Sequence, residues 1–175
     1  MPRLKHLAVA APLALLLVAY AHAATRSAAP SCKTSNLAVW LGLGEGGAAA
    51  GSTYYPLELT NVAHRTCSLS GFPGVSAVRN RQLGSPAGRD RARTPRRVTL
   101  APGQTAHVIL RIVNVANYTR ARCRPVEAFG LRVYPPNARA SAEIPFAFRA
   151  CSRRGPVYLS VRAVERRVGV PGHSN

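Results

Sequence analysis

Ala106-His-Val-Ile-Leu-Arg-Ile112 is the stretch whose reading decides the fold. Ala106, Val108, Leu110 and Ile112 recur at every second position, the period at which successive side chains leave opposite faces of a β-strand. His107 alternates with them, which places it on the strand's solvent face. Just upstream, Ala101-Pro-Gly-Gln104 predicts a tight turn. Proline presets φ near −65° for the second turn position, and glycine takes the positive φ that a type II turn needs next.

The same period recurs along the chain. Leu37, Val39, Leu41 and Leu43 alternate with Trp40 on the other side, and Tyr55, Leu57 and Leu59 alternate with Pro56, Glu58 and Thr60. Leu131 with Val133, and Val157 with Leu159 and Val161, repeat the pattern. Gly71-Phe-Pro-Gly74 and Tyr134-Pro-Pro-Asn137 separate these runs. Short alternating strands between Gly/Pro turns predict an all-β domain, an antiparallel β-sandwich or barrel. The expected core comprises Trp40, Leu57, Leu59, Val108, Leu110, Leu131, Val133, Leu159 and Val161.

The N-terminus carries a different signal. Arg3 and Lys5 precede an apolar run from Leu7 to Tyr20, and Ala21-His-Ala23 supplies a small-x-small cleavage pattern. This is the architecture of a secretory signal peptide, with an apolar run too short for a stable membrane span. Residues 1–23 are therefore expected to be removed, residues 24–31 to form a flexible leader, 32–166 the domain and 167–175 a disordered tail. After export, Cys32, Cys67, Cys123 and Cys151 read as a disulfide framework and not as metal ligands. Four cysteines permit three pairings. The sequential one, Cys32–Cys67 with Cys123–Cys151, is expected because each pair tethers neighbouring strands or their ends.

Cleavage after Ala23 leaves 152 of the 175 residues, and loss of Arg3 and Lys5 lowers the net charge from +18 to +16. Such a surplus favours anionic partners: nucleic acid, acidic polysaccharide, phosphate-bearing wall polymer or lipid headgroups. A compositional origin is the competing reading, because every basic residue after the cut except Lys33 is arginine. Seven arginines, Arg79, Arg81, Arg89, Arg91, Arg93, Arg96 and Arg97, concentrate among Gly84, Ser85, Pro86, Gly88 and Pro95. Guanidinium groups with so few carboxylates nearby cannot be buried. The segment is expected to be a loop, or an edge strand and loop, that contacts an anionic surface if it has a role.

No motif for catalysis or cofactor binding survives its structural requirements. Gly42-Leu-Gly-Glu-Gly-Gly47 matches the dinucleotide fingerprint in letters, but a strand follows it where a helix is needed, so it reads as a hairpin loop. A serine triad lacks its nucleophile elbow, and the mature histidines are only His64, His107 and His173. Glycoside hydrolysis needs two carboxylates in one cleft, whereas Glu45, Glu58, Asp90, Glu127, Glu143 and Glu165 are scattered. Wide cysteine spacing opposes a zinc site. Asn117-Tyr-Thr119 is a glycosylation sequon in letters and points to an exposed turn. Of Tyr54-Tyr55, one ring is expected in the core and the other at the surface.

Taken in order, Cys32, Leu59-Thr-Asn61, Cys67-Ser-Leu-Ser-Gly-Phe-Pro-Gly-Val75, Thr99-Leu-Ala-Pro-Gly-Gln-Thr-Ala106, Cys123, Leu131-Arg-Val-Tyr-Pro-Pro136 and Cys151 resemble a secreted actinobacterial family, domain of unknown function 4232. The resemblance spans about Cys32 to Val164. It implies an exported or envelope-associated, immunoglobulin-like β-sandwich with two disulfides, and no known activity. Many such proteins resemble lipoproteins; here Cys32 lies well past the apolar run, which argues against a lipid anchor. The expectation is a secreted, non-enzymatic binding or structural module without cofactor. An anionic-polymer binder acting through the arginine-rich segment is the alternative, and a small extracellular hydrolase ranks last.

Overall fold

The computed structural model describes residues 28–43, 48–49 and 51–169. The expected signal peptide, residues 24–27 of the leader, the Gly44–Gly47 part of the hairpin loop and residues 170–175 lie outside them. Among the described residues thirteen strands follow in chain order: β1 (Leu37–Leu41), β2 (Ala48–Ala49), β3 (Ser52–Asn61), β4 (Cys67–Ser70), β5 (Gly74–Val78), β6 (Gln82–Leu83) and β7 (Gly88–Arg89), then β8 (Arg97–Leu100), β9 (Thr105–Val113), β10 (Pro125–Tyr134), β11 (Ala142–Cys151), β12 (Leu159–Val161) and β13 (Glu165–Arg166). One turn of helix, α1 (Arg120–Cys123), and two 3₁₀ turns, Thr34–Asn36 and Val115–Asn117, accompany them.

These strands form three sheets. The largest runs β1-β3-β9-β12-β7, with β13 also on β9 and β2 on β3; the second runs β11-β10-β5-β6, and β4 pairs with β8. The strand ladders are antiparallel except β12–β7, where Ser160 stands beside Gly88. Leu57, Leu59, Val108, Leu110, Leu131, Val133, Leu159 and Val161 are at most 1 % exposed and belong to one cluster. Period-two patterning therefore selected the buried faces. Tyr55 extends the cluster by an edge-on contact with Phe146, which in turn lies against Phe148.

Trp40 is the correction to the expected core. It remains 42 % exposed on the outer face of β1, where its ring N–H donates to Thr60 Oγ1. The β1–β3 ladder stops at Leu41–Leu57 for a chemical reason. Pro56 O accepts from Gly42 N–H, so the Pro56 nitrogen, which has no hydrogen, faces the same neighbour and cannot extend the pairing. A side chain at Gly42 would also strike the Pro56 ring, at 2.6 Å.

Turn chemistry fixes the register of the long β3–β9 pair. Gln104 N–H donates to Ala101 O across the turn, with Gly103 at φ 76°, as the Pro-Gly pair predicts. Beside it Asn61 is fully buried and satisfied. Its amide donates to Arg65 O and Leu100 O, and its side-chain oxygen accepts from Ala63 N–H. One side chain thus joins two turns.

The disulfides are Cys32–Cys67 and Cys123–Cys151. The first secures a segment that begins before the expected domain boundary. Ser68 Oγ donates to Ala29 O, Ser68 N–H to Pro30 O, and Cys32 N–H to Ser68 O, so the described end of the leader, residues 28–31, is tied to β4. Order also extends past residue 166. Gly169, expected in a disordered tail, is buried and donates its N–H to Glu58.

Candidate functional site

The arginine-rich segment follows β5 and is stitched down at intervals, so it is not one free loop. β6 folds back on β5, with Leu83 opposite Ala77 and 8 % exposed. β7 then joins β12, and Asp90 N–H donates to Val161 O. Asp90 anchors the next bend: Oδ1 accepts from Ala92 N–H and Oδ2 from Arg162 Nε at 3.3 Å. The Ala92 hydrogen bond, helped by Arg162 and opposed by partial burial, holds the Asp90 carboxyl below its ordinary range.

Between the stitches Arg79, Arg81, Arg89, Arg91, Arg93, Arg96 and Arg97 are all exposed. They do not all line one groove. Arg93, Arg96 and Arg97 do converge, in a groove of about 620 Å³ whose opposite wall is Ala163–Arg166. The other four stay outside it. Arg79 lies 4.8 Å over the Phe129 ring and Arg89 5.9 Å over Phe72, each using an aromatic face as its contact. Arg81 sits in the tight turn that reverses the chain from β5 into β6, where its carbonyl accepts from Arg79 N–H at 3.1 Å. That turn places it apart from the groove. Arg91 is the middle residue of the bend that Asp90 closes onto Ala92, and it too is missing from the groove's lining. The stitches to β5 and β12 are what separate Arg81 and Arg91 from the converging group.

The opposite wall contributes Arg166, which composition alone did not single out. It also brings Glu165, paired with Arg93 at 3.5 Å. Arg97 Nη1 donates to Ser68 Oγ. The groove is strongly cationic, and its chemistry suits charge-assisted hydrogen bonds to phosphate, sulfate or carboxylate oxygens.

A second arrangement was invisible to sequence reasoning. Register places Glu58 beside His107 on β9, and His107 beside Glu165 on β13, so two acids and a histidine share one row of the large sheet. Trp40 flanks Glu58 on the other side. The signal was absent because 49 residues separate Glu58 from His107 and 58 separate His107 from Glu165; only the ladder aligns them. The alternation put Glu58 on the polar face of β3, yet its exposure is 0 %.

What covers Glu58 is the chain after β13. Arg167 adopts φ 82°, a left-handed turn, and its carbonyl lies 2.9 Å from His107 Nδ1. A carbonyl only accepts, so Nδ1 is the donor in this contact. Gly169 then donates to Glu58 Oε1 at 2.7 Å. Only glycine fits there, because a Cβ would lie 2.4 Å from Pro56 Cβ and 2.9 Å from the His107 ring. Glu58 Oε2 is buried with no hydrogen-bond partner among the described residues.

Burial pushes the Glu58 carboxyl up from 4.5 to about 7, with the Gly169 N–H pulling weakly the other way. The folded state therefore binds this proton more tightly than the unfolded chain. Stability from this group is greatest below pH 4.5 and declines as pH rises to 7, by about 3 kcal/mol in total. Denaturant midpoints measured at intervals across that window should fall, and Glu58→Gln should flatten the slope. A wild-type slope unchanged by the substitution would show that Glu58 is not the titrating group.

Among the described residues no three His, Cys, Asp or Glu side chains gather as metal ligands, and no helix is long and apolar enough to cross a membrane. A family model described as domain of unknown function (DUF4232) matches residues 32–165. No curated protein matches the chain.

Proposed function

The chain belongs to the family described as domain of unknown function (DUF4232), and we propose that it is an exported, non-enzymatic binding module of the cell exterior or envelope. Two observations support export and an immunoglobulin-like sandwich: both pairs of cysteines are joined as disulfides, and two largely antiparallel sheets contribute to one core. The observation that carries the non-enzymatic reading is the sealing of Glu58. An acid–histidine row is present, but the Glu58 carboxyl at one end of it is buried and a backbone strap lies across it. A general acid or base must come within hydrogen-bond reach of the substrate proton. Turnover on a broad hydrolase panel that disappears in Glu58→Gln or His107→Ala would overturn this reading.

The meeting of Arg93, Arg96, Arg97 and Arg166 in one groove favours a more specific reading, that the partner is an anionic polymer such as a phosphate-bearing wall polymer or nucleic acid. Binding of this kind weakens steeply with salt, because neutralised anionic groups release their counterions. Replacing these four arginines with serine should leave the melting temperature within a few degrees, since exposed ion pairs such as Arg93–Glu165 contribute about 0–1 kcal/mol. Retention on heparin or phosphate-rich wall material should fall and its salt dependence should flatten. Arg81→Ser with Arg91→Ser, which removes charge outside the groove, should have the smaller effect per charge. Unaltered retention in the fourfold variant would make the charge a compositional trait.

A further inference from the structure

A second basic surface lies elsewhere, built from elements that include none of residues 79–97. The 3₁₀ turn Val115–Asn117, α1, the start of β10 and the end of β11 enclose a groove of about 800 Å³. Small-molecule sites typically occupy about 300–1,000 Å³. Three arginines line it: Arg120 on α1, Arg124 at its C-terminal cap and Arg149 on β11. Among the described residues none of these guanidinium groups has an ion-pair or hydrogen-bond partner. Glu127 stands opposite Arg149 in the β10–β11 ladder and makes no ion pair with it. No carboxylate lines the groove.

Arg124 is held at φ 47°, ψ 72°, the left-handed region that favours glycine or asparagine. The Thr119 cap and the Cys123–Cys151 disulfide fix α1 on either side, and Arg124 O accepts from Ser152 Oγ at 2.8 Å. The backbone carrying two of the three charges is therefore pre-organised. Beside the charges the lining is mixed, with Val115, Pro125, Val126 and Tyr118 next to the polar Asn114 and Ser152. Asn114, Val115 and Arg149 also border a smaller cleft of about 200 Å³ lined by Tyr55, Phe146 and Phe148. The two depressions share these three residues; taken together as one trough, they set arginines in one part and aromatic rings in the other.

We infer that this trough binds small organic anions in which a phosphate, sulfate or carboxylate group is carried on an apolar ring body. The arginines would take the charged group through forked hydrogen bonds, and the aromatic end would take the ring. Charge alone or ring alone would satisfy only half of it.

The test uses the full chain and three probes at constant ionic strength: 1-naphthyl phosphate, inorganic phosphate and 1-naphthol. Titration calorimetry should find the naphthyl phosphate bound at least about tenfold more tightly than either fragment. Arg120→Ser with Arg124→Asn and Arg149→Ser should weaken that binding by about tenfold or more, asparagine preserving the left-handed backbone. The Arg120→Ser, Arg149→Ser double variant, which leaves residue 124 alone, should weaken it as well. Arg65→Ser with Arg139→Ser and Arg154→Ser removes the same charge from exposed positions elsewhere and should have little effect. Equal binding of inorganic phosphate or of 1-naphthol, or an equal loss in the control triple, would overturn the proposal.

Discussion

Replacing all four cysteines with alanine should destabilise the domain by roughly 7 kcal/mol, about 3–4 kcal/mol for each bridge on the chain-entropy model. The bridges close segments with sequence separations of 35 and 28 residues. They do not overlap in sequence, so their effects should be close to additive. One fastens the chain before β1 to the start of β4, and the other fastens α1 to the end of β11. Domains of this size have total stabilities of only about 5–15 kcal/mol, so the variant should be largely unfolded near 37 °C. Each two-cysteine variant should remain folded with a lowered midpoint. The measurement is urea denaturation of the oxidised, singly bridged and bridge-free proteins. A bridge-free protein that melts within a few degrees of the oxidised one would show that the sheets hold without their staples.

Leu110→Ala and Leu131→Ala should each cost about 2–5 kcal/mol, because each removes a large apolar side chain and leaves a cavity that its neighbours fill only partly. Both residues are completely buried. Leu110 is flanked across its sheet by Tyr55 and Val161, Leu131 by Ala77 and Ile144. They sit in different sheets but in one apolar cluster, so the double variant reports whether the sheets share a core. A near-zero effect at both positions would mean that the core is organised around other residues. Trp40→Ala provides the contrast: its ring is substantially exposed, and its loss removes one hydrogen bond to Thr60.

The faces of the strands were legible because period two is a local property. Leu57 and Leu59, or Val108 and Leu110, announce their side by spacing alone. Trp40 misled because size and apolarity do not say whether a further layer covers a strand's outer face. Glu58 misled for the opposite reason. Its alternation marks a solvent face, but the covering group, Gly169, arrives from 111 residues away and leaves no trace near Glu58. The arginine-rich segment was legible as exposed, since its charges have too few local partners for burial. Its internal division was not, because the stitches depend on β5 and β12. Nothing in composition separates Arg81 or Arg91 from Arg93 and Arg96; the turn into β6 and the Asp90 bend do that. Arg166 reaches the groove because β13 pairs with β9, which sets Arg166 against Ala106. That is a tertiary fact with no compositional signature.

Strand β11 is the outermost of the four-stranded sheet and runs for ten residues, long enough to serve as a template on which another molecule could add a strand. Its sequence works against that. Pro145 lies mid-strand and removes a donor from the edge, while Glu143 and Arg149 present opposite charges to solvent at the two ends. A second copy pairing with β11 would meet a gap in its hydrogen bonding and would have to desolvate both charges. It would also bring together two strongly cationic chains, of formal net charge +18 for the full sequence or +16 without residues 1–23. The edge is thus poorly suited to self-propagating association. That leaves the molecule free to meet partners of other chemistry before it meets itself.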